Sequence, residues 1–215
     1  MNTDRLELNG PEQEQVGCRR ALYSLISKGF RFPTPEQFEG VKKGRFAEEV
    51  AQAVARLPYD GVKGGELGRG TALSYDEFQG RYIQLFEVGG ELGAPCFLYE
   101  AEYGGGRMKV MEEVLRFYHH FGLRLSQVKR DRPDHLASEL EFMHVLTFRE
   151  AEALLQGSER RAYRAAARDF LRFHVSDLIG AVASKVAGSG VPFYSDLANL
   201  AAAFCQRELA HVQAE

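Results

Sequence analysis

Apolar residues recur at intervals of three and four along most of this chain, which is the spacing of one face of an α-helix. The clearest apolar stripe consists of Leu136, Leu140, Met143 and Thr147, widened by Phe142 and Leu146. We predict that this helix begins at Asp131, which can serve as its cap. Pro133 suits a first helical turn, and the Asp134 carboxylate would lie near the positive end of the helix dipole. We therefore predict a core helix, with His135 and Glu139 one turn apart at the border of its stripe and off the solvent face.

The same spacing predicts six more helices, at Pro11–Gly29, Phe46–Leu57, Ser74–Phe86, Met108–Phe121, Ser158–Ala187 and Val191–Gln213. Ser74 with Glu77 three residues later has the pattern of a capping box. Phe30–Pro35 is predicted to be an extended turn, because each proline disfavours helix in the residue before it. Since no stretch alternates as a strand does, we predict an all-α, single-domain bundle of about seven helices over residues 1–215, with residues 1–10 frayed.

Two glycine-rich segments interrupt the helices. Residues 61–70 are predicted to be a flexible connector, and the lack of Ser or Thr after Lys63 or Lys43 disfavours a phosphate-binding loop. Residues 89–106 mix aromatic side chains with two carboxylates between glycine pairs. Long loops of this kind are often functional, so this loop is a candidate binding loop.

Composition narrows the class of protein. The chain has 215 residues, 45% of them hydrophobic, which is enough for a sizeable core. A net charge of -3 argues against a nucleic-acid-binding protein. No apolar run is long enough for membrane insertion, and the polar start of the chain is unlike a signal peptide, so a cytoplasmic location is expected. Cys18, Cys96 and Cys205 are far apart in sequence and are expected to be buried or half-buried thiols.

The residues give little support for catalysis. Six histidines lie among many carboxylates, but there is no H-E-x-x-H motif or Cys/His cluster, and His135 with Glu139 supplies only two ligands. No nucleophile motif is present. We therefore predict no catalytic residue, bound metal or cofactor, and interpret His135 and Glu139 as a hydrogen-bonded pair.

Arginines recur every four residues in one predicted helix and form a ridge consisting of Arg160, Arg164, Arg168 and Arg172. The simpler interpretation is a solvated face that pairs in part with Glu159 and Asp169. The alternative is a docking surface for an acidic partner.

Two motifs connect these features to a known family. Residues 82–86 (Tyr-Ile-Gln-Leu-Phe) match an aromatic-x-x-Leu-Phe pattern, and residues 133–142 match a Pro-Asp-His-Leu-x-x-Glu-Leu signature. Residues 98–104, 170–174 and 193–198 match further segments. The chain thereby resembles the TorD/DmsD/NarJ family of molybdoenzyme-specific chaperones over about residues 74–204.

Departures from the family pattern narrow the resemblance. Arg132 precedes Pro133 where the family usually has Glu-Pro-x-Asp-His, and Leu178 replaces a tryptophan often found four residues after the histidine of Phe-Leu-x-x-His. The first departure, together with Glu141-Phe142-Met143, makes this sequence more similar to the chaperones of type II dimethyl-sulfoxide-reductase-like enzymes.

The resemblance implies a TorD-like fold and a chaperone that is not an enzyme. Its partner would be the apo catalytic subunit of a molybdenum (bis-molybdopterin guanine dinucleotide) oxidoreductase, held until the cofactor is inserted and export by the Tat pathway can begin. Whether the twin-arginine leader or the folded body is bound stays open. A basic and apolar leader needs carboxylates beside an apolar groove. The expected partner-binding residues are Asp134, His135, Glu139, Tyr82, Leu85, Phe86, Tyr99, Glu100, Glu102 and Tyr103.

Two other functions stay open at this point. One is a metal-dependent helical hydrolase that uses His135 and Glu139. The other is a helical adaptor that binds an acidic partner through the arginine ridge. For Tyr82, Leu85 and Phe86, pure core packing is the competing interpretation.

Overall fold

The structure is a computed structural model that describes residues 10–88, 93–125 and 132–214. Within these ranges the regular structure is helical, with a 3-10 turn at Glu100–Glu102. The α-helices are α1 (Pro11–Gly29), α2 (Pro35–Lys42), α3 (Arg45–Val54), α4 (Tyr75–Tyr82), α5 (Arg107–His120), α6 (Leu136–Leu155), α7 (Arg161–Phe170), α8 (Ser176–Val186) and α9 (Pro192–Ala214). A π-helical turn, Ile83–Glu87, extends α4, and another, Leu171–Val175, joins α7 to α8. The described residues thus form eight continuous helices without a β-strand, and the all-α prediction is confirmed.

One apolar cluster runs through the bundle from Leu22 on α1 to Val212 on α9. The most extensive contact between two helices is that of α1 with α6, which are far apart in sequence. In addition, α8 packs on α9 and α6 packs on α7. The stripe of α6 faces this core, with Leu136, Leu140 and Met143 fully buried. The core-helix prediction for this stretch is therefore confirmed.

The first helix forms with the predicted bounds. Pro11 occupies its first turn, where the missing N–H costs nothing, and Glu12 and Glu14 lie near the positive end of the helix dipole. The predicted capping box at the start of α4 is also present, since Ser74 and Glu77 each bond the other's backbone N–H. Local signals fixed both helix starts.

The short helix α2 is absent from the sequence prediction. Residues 30–34 are non-helical as predicted, but the Thr34 hydroxyl accepts a hydrogen bond from the Gln37 N–H at 3.3 Å and Pro35 opens a helix. A proline that stops helix in the preceding residue is also well suited to the first helical position. The second of these two effects was overlooked.

The predicted start of α6 is wrong in part. Asp131 lies outside the described residues, and the helix begins at Leu136, after Pro133 and Asp134. His135 is the N-cap, because its ring nitrogen Nδ1 accepts a hydrogen bond from the Ala137 N–H at 3.1 Å. Asp134 is therefore not a first-turn carboxylate.

The glycine-rich connector is anchored in its second half. Leu67 is fully buried although its φ is 47°, and its N–H donates to the Asp196 carboxylate at 3.1 Å. The predicted mobility of residues 61–70 stays a prediction, as does the domain extent of 1–215. The predicted fraying falls almost entirely on residues 1–9, which lie outside the described residues.

None of the helices in the described ranges is both long and apolar enough to cross a bilayer. The three cysteines are free thiols, with Cys96 and Cys205 buried and Cys18 half-buried, as expected.

Candidate functional site

Asp134 joins the predicted binding loop to the start of α6. Its side chain is fully buried, and Oδ2 accepts a hydrogen bond from the Ala101 N–H at 3.1 Å. Its carbonyl accepts from the Glu100 N–H at 2.9 Å, and the Leu98 carbonyl accepts from the Leu136 N–H at 2.8 Å. These bonds hold residues 98–101 against residues 134–136 as a short antiparallel bridge. The loop is thus fixed at one end of α6.

Arg132 compensates the buried charge of Asp134. Its guanidinium donates to both Asp134 oxygens, from Nε to Oδ1 at 3.0 Å and from Nη2 to Oδ2 at 2.7 Å. Its third nitrogen, Nη1, donates to Glu102 at 2.6 Å, and Glu102 also accepts from Arg107 at 2.9 Å. Hydrogen bonding to Arg132 lowers the pKa of Glu102. Two arginines therefore partly neutralise the acidic face expected from sequence.

Glu139 lies deeper than predicted. It is fully buried, not at the border of the stripe, and its oxygens meet no donor in the described part of the chain when the carboxyl is ionised. Burial raises its pKa well above the ordinary value, and the charge of Glu100 and a hydrogen bond to that carboxylate add to the effect. Its surroundings therefore favour the protonated form of Glu139.

Glu100 receives a second contact from His174. The His174 ring nitrogen Nδ1 lies 3.0 Å from Glu100 Oε2 and 3.1 Å from Oε1, and the ring is almost fully buried. His174 reaches this position from the π-helical turn after α7. The described cluster of Glu100, Glu139 and His174 links α6, the binding loop and this turn.

The part of the site that reaches solvent is aromatic and mixed in charge. Tyr99 is half-exposed, with the Arg132 guanidinium 4.5 Å from its ring centroid and the His135 ring centroid 5.0 Å away. Tyr103 is also half-exposed and donates to the Phe97 carbonyl at 2.8 Å. These side chains form a surface that can make polar and stacking contacts with a polypeptide.

The structure places Tyr82, Leu85 and Phe86 in the core. They are at most 7% exposed, and the Tyr82 hydroxyl donates to the Phe30 carbonyl at 3.1 Å. Tyr82 and Phe86 both pack against Tyr194 on α9. This agrees with the packing interpretation, and direct contact of the three with a partner stays a prediction.

The arginine ridge does not form as one surface. Arg160 precedes α7 and pairs with Glu12 at 2.5 Å, whereas Arg164 is mostly buried and lies 3.6 Å from Glu150. Arg168 pairs with the adjacent Asp169, and Arg172 lies beyond α7, above the Phe173 ring. The π-helical turn has more residues per turn than an α-helix, so the four-residue spacing from Arg168 to Arg172 no longer keeps the two side chains on one face. The four arginines therefore have separate surroundings.

Sequence reasoning gave no site role to Arg132 or His174, although both lie in motifs that it singled out. Their roles depend on partners 30 and 74 residues away in sequence, Glu102 and Glu100. Across the described ranges, no group of three His, Cys, Asp or Glu side chains is placed to hold a metal ion. The described residues of the candidate site form an ordered surface of mixed charge with aromatic side chains.

Comparison with known proteins identifies the family. A family model described as the nitrate reductase delta subunit matches residues 44–184. The chain belongs to the nitrate reductase delta subunit family. The match includes the whole candidate site, and the family predicted from the sequence motifs is confirmed.

Members of the nitrate reductase delta subunit family that are similar to the chain carry related names. The chlorate reductase assembly chaperone protein of Ideonella dechloratans is 38% identical over 133 residues, 61% of this chain and 65% of that protein. The selenate reductase assembly chaperone protein of Thauera selenatis is 39% identical over 107 residues, 49% and 55% of the two chains. The perchlorate reductase assembly chaperone protein of Dechloromonas aromatica (strain RCB) is 30% identical over 200 residues, 89% and 88%. The first two alignments thus span less than two thirds of those relatives.

Proposed function

We propose that this chain is a cytoplasmic assembly chaperone for the catalytic subunit of a molybdenum oxidoreductase. The observation that carries the proposal is the similarity to the perchlorate reductase assembly chaperone protein, which extends over 89% of this chain. The relatives are named as chaperones, which supports the prediction that the chain is not an enzyme. A metal-dependent hydrolase has no such support, since within the described ranges no third metal-ligating side chain joins His135 and Glu139.

The binding surface that we propose consists of Tyr99, Glu100, Glu102, Tyr103 and His135. All five are partly exposed and lie at or beside the bridge between the loop and the start of α6. Asp134 and Glu139 are buried beneath them and position the loop from below. The client contacts the first group, and the second group keeps that surface in shape.

A twin-arginine leader has a chemical counterpart at this surface. Glu102 already accepts hydrogen bonds from two guanidinium groups, those of Arg132 and Arg107. Guanidinium and carboxylate groups match in bidentate geometry, so an arginine of the leader can replace the more exposed Arg107 at Glu102. Tyr99 and Tyr103 supply apolar contact for the residues that follow.

The test is co-expression of this chain with the catalytic subunit of a molybdenum oxidoreductase from the same organism. We expect the two to co-purify and the molybdenum content per catalytic subunit to fall several-fold when the chain is omitted. A client that acquires its full molybdenum content without the chain contradicts the proposal.

The binding surface is tested with Tyr99→Ala and Glu102→Gln. Both variants should weaken client binding, measured by titration calorimetry. Glu48→Gln is the matched control, since Glu48 forms a surface ion pair with Arg69 at 3.2 Å outside the proposed surface. Equal affinity of all three variants for the client would contradict the proposed binding surface. The proposed chaperone function would then depend on the measurement of molybdenum content alone.

A further inference from the structure

A second candidate surface lies along the side of α6 that does not carry Glu139. A groove of about 1180 Å³ is bounded by α1, α3, α6, and the end of α5 with the residues that follow it. From α6 it is lined by Ser138, Glu141, Phe142, His144 and Val145. Tyr99, Glu100, Glu102 and Tyr103 do not line it. The groove is therefore separate from the proposed client surface.

The floor of the groove is apolar. Its apolar lining includes Ala21 and Leu25 of α1, Val145 of α6, and Leu123 and Leu125 after α5. All five side chains are only partly buried. Covering them would remove apolar surface from water, which is favourable in free energy. A partner that covers this floor must itself present apolar side chains.

The rim of the groove is basic. It carries the five basic side chains of Arg20, Lys28, Arg31, Arg56 and Arg124, against the two carboxylates of Glu49 and Glu141. Arg31 is paired with Glu141. This basic surplus stands out in a chain whose net charge is -3.

Three of the rim cations are open to a partner. Lys28, Arg56 and Arg124 are exposed, and their side chains form no ion pair within the part of the chain that the structure describes. His144 adds no charge at neutral pH, because burial lowers the pKa of its ring, whose Nδ1 lies 3.0 Å from the Arg20 carbonyl. The free charge of the rim thus comes from lysine and arginine.

We propose that this groove binds an acidic amphipathic helix of a protein partner. Apolar side chains of such a helix, spaced by three and four residues, would cover the floor between α1 and α6. Its carboxylates would lie against the rim cations, which favours correct orientation and fast association. A nucleic acid would use the cations but would leave the apolar floor exposed. This inference does not depend on the proposed function, which uses the other surface.

The first test uses three fluorescent peptides of about 18 residues, long enough for five helical turns. One carries leucines on one helical face and glutamates elsewhere, the second has the same composition in scrambled order, and the third has lysine in place of glutamate. Anisotropy titrations with the full chain should show the first peptide binding at least about tenfold more tightly than the others. Equal binding of the scrambled peptide, or equal or tighter binding of a single-stranded oligonucleotide, would overturn the proposal.

The second test locates the binding. The double variant Arg56→Glu, Arg124→Glu should bind the acidic peptide at least about tenfold more weakly, and the affinity should depend less on salt concentration. Lys109→Glu with Arg161→Glu is the matched control, since both residues are exposed, lie outside the groove and change the net charge equally. Similar losses in both double variants would show a general charge effect and contradict a groove-specific site. Unchanged melting temperatures in both would establish that the fold is intact.

Discussion

At the scale of single residues, two buried carboxyl groups have opposite roles. Asp134 accepts hydrogen bonds from Arg132 and from the Ala101 N–H. Burial and the charge of Glu100 raise the pKa of Glu139, which favours its protonated form. The two lie five residues apart in sequence, so composition and spacing alone cannot separate them. Their surroundings differ, because Asp134 has an arginine partner and Glu139 has none among the described residues.

Glu139→Gln should increase stability at neutral pH. An unfolded glutamate ionises near 4.5, while the folded-state pKa of Glu139 is far higher. Between these two values the folded state binds more protons, so the free energy of unfolding falls as pH rises. Glutamine carries no proton to lose and can still donate to Glu100. We expect the free energy of unfolding to rise by about 1–3 kcal/mol at pH 8, because burying a polar group without its partner usually costs about that much.

The measurement is urea denaturation of both proteins from pH 4 to pH 8. The difference should shrink toward pH 4, where Glu139 is protonated in the folded and unfolded states alike. Glu141→Gln is the control on the same helix, since Glu141 is exposed. A difference that stays constant with pH would show that Glu139 does not titrate as argued.

Asp134→Asn should loosen the binding loop. An asparagine replaces one carboxylate oxygen with an NH2 group and has no negative charge, so it cannot accept from both Nε and Nη2 of Arg132 through two oxygens as the carboxylate does. We expect a loss of about 1–3 kcal/mol and faster amide exchange at residues 98–103, measured by hydrogen–deuterium exchange. Asp169→Asn is the control, because it disrupts only an exposed ion pair with Arg168. Its free energy of unfolding should change by less than about 1 kcal/mol. Unaltered exchange at Ala101 in Asp134→Asn would be inconsistent with the role assigned to this carboxylate.

At the scale of secondary structure, caps determine where these helices begin. Ser74→Ala removes the acceptor of the Glu77 N–H and half of a reciprocal pair of bonds at the start of α4. We expect destabilisation by about 1 kcal/mol, measured by chemical denaturation. Ser184, an exposed residue inside α8, is the control, because alanine there favours helix and removes no cap. Equal effects of the two substitutions would contradict the importance of the capping box.

The same scale shows how much of the fold the sequence predicts. Stripes of apolar residues located seven of the eight continuous helices, because each stripe is a property of neighbouring residues. The start of α6 was misplaced since His135, an uncommon cap, replaced the stronger cap candidates before it. Helix α2 was missed because it spans only two turns, from Pro35 to Lys42.

The candidate site was only partly predictable for a different reason. Motifs located Asp134, His135 and the loop, yet the bonds that join them cross more than 30 residues of sequence. Neither periodicity nor spacing reports such distant pairs. Tyr82 and Phe86 illustrate the limit, because a helical aromatic stripe predicts burial but does not reveal that Tyr194 is the partner.

At the scale of the whole molecule, a buried ionic network joins three helices. Arg19 of α1 donates to Glu208 of α9 at 2.6 Å and to Glu150 of α6 at 3.0 Å. All three side chains are at most 2% exposed. Burial lowers the pKa of Arg19, but the two carboxylates outweigh this and raise it overall. Sequence analysis overlooked the network, although each charge stands within an apolar stripe, as Arg19 does between Val16 and Leu22.

Arg19→Met tests this network, because it leaves two buried carboxylates without their shared cation. Removing one partner of a buried ion pair costs about 3–5 kcal/mol, a large share of the roughly 5–15 kcal/mol that stabilises a typical domain. Combining it with Glu150→Gln and Glu208→Gln should recover much of that loss, because the two side chains that lost their shared cation are then uncharged, and Tyr59 can still donate to residue 208. Denaturation midpoints of the single and triple variants provide the measurement. A triple variant no more stable than Arg19→Met would show that packing of the arginine stem, not charge pairing, holds α1, α6 and α9 together.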